Sequence, residues 1–141
     1  MTEPPRLGDV LVGSIPDAII VADAEGRVVL WNPGAERIFG YSQDEALGQS
    51  LDLIIPERLR QRHWDGYGRV MAGAPSKYGA GDMLAVPAIR ADGTTISIEF
   101  TVAIVEHDGQ RFIGAVIRDV TERWQREREL RRRLAETDPA Q

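Results

Sequence analysis

The sequence predicts an α+β domain: a five-stranded antiparallel sheet, interrupted after its second strand by short helices and followed by a charged helix. Three observations predict it. Near the N-terminus two β-rich runs, "AIIVAD" and "RVVLWN", flank the short turn "AEGR", which is the pattern of a hairpin. The span "MLAVPAIRADGTTISIEFTVAIVEHDGQRFIGAVIRDV" reads as three strands joined by two Asp-Gly turns. Between these regions lie about fifty residues with helical spacing and cap residues in place of alternation.

Residues 1–14 carry turn-formers and little pattern, and read as a flexible lead or N-terminal cap ending in a short helix. The first two strands fall near 17–23 and 27–31. Asn32 then offers an N-cap with Pro33 in the first helical position, and Gly40 ends that helix. Ser42 caps a second short helix, whose Asp44 and Glu45 suit the positive end of the helix dipole. Pro56 opens a longer helix that runs to about Gly73. In it Leu59, His63, Tyr67, Val70 and Met71 recur at helical spacing, which sets His63 near one face with apolar residues. The remaining strands fall near 82–90, 94–106 and 110–119, turning at Asp92–Gly93 and Asp108–Gly109. Ile96, Ile98, Phe100, Val102 and Ile104 alternate with Ser97, Glu99, Thr101 and Ala103, so this part of the sheet has one buried face. From Thr121 the chain is charged and helix-favouring, with sparse apolar positions at Trp124, Leu130 and Leu134. Residues 15–120 thus form the domain, and 121–141 a charged helix with a fraying tail.

Composition narrows the function classes. The chain has 141 residues, enough for one domain with a real core. The net charge of -5 argues against a general nucleic-acid binder, which needs a basic face. The absence of cysteine excludes disulfides, cysteine-based zinc sites and thiol catalysis, and fits a reducing cytoplasm. The first residues lack a basic stretch followed by an apolar run, and no window reaches membrane-spanning length, so the expected location is cytoplasmic with no membrane partner. No phosphate loop, nucleophile–base set or two-histidine metal motif appears, so an enzyme is not expected. "RERELRRRL" reads as a solvated helix face.

The segments "PDAIIVADAEGRVVLWNPGAERIFGYSQDEALGQ", "IPERLR", "RADGTTISIEF" and "GAVIRDVTER" together resemble the PAS sensory-domain family, over nearly the whole chain. The resemblance implies an antiparallel five-stranded sheet with short helices on one face, cupping a small-molecule pocket. It implies a C-terminal output helix joined to the last strand at "RDVTER", around Asp119 and Thr121. It also implies an output domain or partner protein, such as a kinase, cyclase or regulator, and a sensor or adaptor role. The flavin-adduct class of the family needs a reactive cysteine, which this chain lacks. The haem class, that of oxygen-sensing kinases and phosphodiesterases, carries its iron ligand in a stretch much like "IPERLRQRH", and His63 matches that ligand by its distance after Pro56.

The resemblance therefore implies a b-type haem with His63 as axial ligand. Neutral imidazole is a good iron ligand, and Met83 offers a thioether as a second one. Tyr67, Leu84, Ile98, Phe100 and Val116 would line the pocket, and Arg69 would meet the propionates. The sequence departs from the haem class at "GDMLAV", where Met83 and Leu84 stand and the arginine that serves oxygen is missing. That points to carbon monoxide, nitric oxide or redox sensing. A histidine of the helix surface and a Met that fills a pocket remain the alternative readings. In that case the pocket holds core side chains or a small organic ligand, lined by Phe39, Ile54, Val70, Ile98, Phe100 and Val116, and the module works by protein contact. A homodimer through the N-terminal lead and the helix after Asp119 is expected, because their apolar positions would otherwise be exposed.

Overall fold

The computed structural model describes residues 6–73 and 84–136. Their elements run α1 (Leu7–Ser14), β1 (Ala18–Ala22), β2 (Val28–Trp31), α2 (Pro33–Phe39), α3 (Gln43–Ala46), a 3₁₀ turn (Leu51–Ile54), α4 (Glu57–Met71), β3 (Leu84–Ile89), β4 (Thr95–His107), β5 (Gln110–Asp119) and α5 (Thr121–Glu136). The five strands form one antiparallel sheet in the order β2-β1-β5-β4-β3. Both expected hairpin regions are present, and the strand ends agree with the sequence reading to within two residues. Among the described residues no helix is long and apolar enough to cross a membrane.

Local chemistry explains the boundaries. Asn32 caps α2 by accepting a hydrogen bond from the Ala35 N–H at 2.9 Å, Pro33 opens the helix, and Gly40 closes it at φ 84°. Ser42 and Glu45 form a reciprocal capping box on α3. In the β4–β5 turn Asp108 and Gly109 both have positive φ, 51° and 76°. A primed turn needs this, since it matches the twist of the flanking strands.

Alternation divides the sheet into two faces. Ala18, Ile20, Ile96, Ile98 and Ile117 point towards the helices and join Trp31, Ala35, Phe39, Ala46 and Ile54 in the core. Gly34 lets α2 approach β1: a Cβ there would stand 2.1 Å from the Asp17 carbonyl oxygen. Asn32 is the buried polar residue that ties these parts together. Its Oδ1 also accepts from the Ile19 N–H at 2.7 Å, and its Nδ2 donates to the Val12 and Asp17 carbonyls.

Candidate functional site

The site is built on α4. Pro56 gives the helix no side-chain cap. Instead Arg60 folds back to donate to the Ile55 carbonyl at 3.1 Å and the Asp52 carbonyl at 3.3 Å, which fixes the entry to the helix. Trp64 Nε1 donates to the Asp52 carboxylate at 2.7 Å. The Trp64 ring lies on Gly26, where a Cβ would be 2.1 Å from it. Tyr67 is buried and its hydroxyl donates to the Asp23 carbonyl. These contacts pin the middle of α4 to the β1–β2 turn. At the other end Arg111 of β5 donates to the Val70 carbonyl at 3.1 Å. The helix is thus held at three points across the inner side of the sheet.

His63 sits inside this frame. Its ring meets Trp64 edge-on at 4.6 Å between centroids and Tyr67 at 5.6 Å. It is half-buried, and its Nδ1 is buried with no hydrogen-bond partner among the described residues. Burial lowers its pKa, against a smaller opposing attraction from Asp52. The imidazole is therefore neutral at neutral pH, the form that ligates metals. Burial also raises the Tyr67 pKa, with Asp23 and Glu25 adding to the rise, so its phenol keeps the proton it donates.

The sheet supplies an apolar wall. Ile98 is buried and Phe100 half-buried on the inner face, packed with the core. Phe39 and Ile54 belong to that core, with Phe39 fully buried 5.7 Å from Trp31. Val70 is half-buried near the end of α4. One expected lining position is corrected by geometry. Val116 pairs with Ile19 and Thr101 on the outer face and is 43% exposed. Its neighbour Ile117, paired with Phe100, holds the inner position, because side chains alternate along a strand. Arg69 is exposed and stands about 200° round the helix from Tyr67, away from the inner face. Leu84 pairs with Phe100 at the start of β3. Its side chain, like Met83 as a whole, lies outside the described residues. Spacing missed Arg60 and Trp64, because their roles depend on Asp52 and Gly26, which only the fold brings near.

The outer face has a shallow apolar groove of about 250 Å³ over Ile19, Thr101, Ala103, Gly114 and Val116. A larger open cleft of about 650 Å³ lies at the start of α4, beside Arg58, Arg60 and Ile89. Neither of these two cavities includes His63. A buried imidazole nitrogen with no partner among the described residues is unusual in a folded protein, and a neutral imidazole is the form that ligates metals.

A family model described as the PAS fold matches residues 12–125. Sensor protein FixL of Bradyrhizobium diazoefficiens is 34% identical over 121 residues, covering 85% of this chain and 24% of that protein. Oxygen sensor protein DosP of Escherichia coli is 26% identical over 102 residues, covering 72% of this chain and 13% of that protein. The chain therefore spans a quarter or less of the length of these relatives. Among solved structures, the PAS domain of a protein from Colwellia psychrerythraea superposes with a TM-score of 0.68 at 22% identity, covering 82% of this chain and 95% of that one.

Proposed function

The chain belongs to the PAS-fold family, and from that premise we propose that it is a haem-based sensor module, with His63 as axial ligand and α5 as the output element. Family membership carries the coarser part, a sensory domain of the kind found in sensor proteins. One observation carries the haem reading: the neutral, half-buried imidazole of His63, whose buried Nδ1 lacks a partner. Bound haem would supply an iron that takes a diatomic gas or changes redox state.

The chain's own residues do the rest. Trp64 and Tyr67 fix the imidazole ring, and their hydrogen bonds to Asp52 and Asp23 fix them in turn. Ile98 and Phe100 keep water from the inner face. Met83 is the proposed second ligand. The missing arginine beside it favours carbon monoxide, nitric oxide or a redox signal over oxygen. The proposed output partner is a protein or domain that receives the signal from α5. The test is colour. Protein purified from cells supplied with iron and a haem precursor is expected to be red with a Soret band, and Met83→Leu to keep the haem but lose a six-coordinate reduced spectrum. A colourless parent overturns the haem reading.

A second reading has its own observation. Leu7 is 85% exposed and Leu11 59% on α1, as are Leu130 at 58% and Leu134 at 62% on α5. These positions favour homodimerisation through α1 and α5, in a cofactor-free module that acts by protein contact or binds a small organic ligand. Native mass spectrometry separates the two: a haem mass supports the first, and a metabolite or bare dimer the second.

A further inference from the structure

Helix α4 is held unevenly along its length. Up to Tyr67 it is tied down by Arg60 at the Ile55 and Asp52 carbonyls, by Trp64 at the Asp52 carboxylate, and by Tyr67 at the Asp23 carbonyl. Beyond Tyr67, among the described residues, a single side-chain hydrogen bond joins α4 to another element. It runs from Arg111 Nη1, at the head of β5, to the Val70 carbonyl at 3.1 Å. The same guanidinium stands beside Gly73, where a Cβ would be 3.9 Å from Nη1. It thus sits at the helix end whose dipole favours a cation. It also reaches the carboxylate of Glu106, its register partner on β4, at 3.4 Å. The Glu106 side chain is 73% exposed, so this pair steadies the guanidinium only weakly.

Gly68 follows the Tyr67 anchor directly. It lies inside the helix, and a Cβ there would meet nothing within 4 Å. Packing therefore does not require glycine at this position. Glycine is less favourable than alanine in a helix interior, so Gly68 weakens α4 just before its last turn. Val70 and Met71 lie in that turn, half-buried, on the face that carries His63 and Tyr67. About 10 Å of helix separates Val70 from His63. Lifting this turn opens the inner face from the end of α4, while Arg60, Trp64 and Tyr67 keep their contacts.

We infer that residues 68–73 form a flap over the inner face, hinged at Gly68 and latched by Arg111, whose opening admits the ligand. The inference rests on the sensor reading, in which a ligand enters under α4, and does not require that ligand to be haem.

The test begins with hydrogen exchange of the whole chain without cofactor, read at the amides of residues 70–72 and, for comparison, 61–65. Arg111→Gln is expected to speed exchange at 70–72 about fivefold and to leave 61–65 unchanged. Gly68→Ala is expected to slow exchange at 70–72 about threefold and to offset most of the effect of Arg111→Gln in the double variant. Protection in β4 and β5 shows that each variant is folded. Rapid mixing with hemin then reads entry. The Soret band is expected to rise faster in Arg111→Gln and more slowly in Gly68→Ala. Unchanged exchange in Arg111→Gln, equal acceleration in both sets of amides, or a hemin rate that follows neither substitution overturns the inference. A parent that takes up no hemin overturns the haem reading alone, and the exchange result then decides the flap.

Discussion

Asn32 shows how one side chain can hold three elements. It is 3% exposed and makes four hydrogen bonds, to α1, to both ends of the turn into β1 and to the first turn of α2. Asn32→Ala leaves buried donors and acceptors unpaired and removes a helix cap. It is expected to cost about 2–4 kcal/mol in urea unfolding; a loss below about 1 kcal/mol would refute this account of the residue. The cap was legible in "WNPG", because Asn before Pro at a helix start is a local signal. The other three bonds were not, since their partners lie up to twenty residues away. His63 makes a second residue-scale prediction. Burial lowers its pKa below the ordinary value of about 6.5, so the unfolded chain takes up this proton before the folded chain does. Its contribution is fully present above about pH 6.5 and is lost as pH falls from there to the lower folded value. In cofactor-free protein, the urea midpoint should fall across that window and His63→Gln should flatten the fall. Equal slopes in the two proteins would contradict the burial argument.

At the scale of elements, the strands and their turns were readable because alternation and Asp-Gly pairs are local. Alternation also fixed which residues of β4 face inward. It could not fix the phase of β5, where "FIGAVI" is apolar at nearly every position. Register with β4 settles that phase and moves Val116 to the outer face. The 3₁₀ turn at Leu51–Ile54 was likewise invisible, since its cap Ser50 and its buried Ile54 act through the fold. The packing of α2 on β1 depends on Gly34, whose replacement by Ala would drive a Cβ into the Asp17 carbonyl. Gly34→Ala favours the helix by propensity but is expected to destabilise the protein by about 1–3 kcal/mol, measured by urea unfolding. A neutral or stabilising outcome would mean that α2 can shift away from β1. On α5, the arginines of the "RRR" run are paired with Glu127, Glu129 and Glu136 on their own helix, which agrees with a solvated face.

For the whole molecule, the sheet is a partition. Its inner face carries the core and the site under α4, and its outer face carries an apolar groove. The leucines of α1 and α5 stay uncovered in the single chain. Deleting residues 121–141 should therefore shift sedimentation from dimer towards monomer at micromolar concentration. A parent that sediments as a monomer, or a dimer untouched by the deletion, would remove the helices from the interface. The central claim is ligation of haem by His63, and a hemin titration followed in the Soret region tests it most directly. The parent chain is expected to saturate at one haem per chain. His63→Ala should lose the complex while keeping its fold, at a cost of roughly 1 kcal/mol, and should regain the Soret band when free imidazole is added. Equal haem binding by the parent and His63→Ala, or no binding by the parent, would contradict the claim and leave His63 as a histidine of the α4 packing.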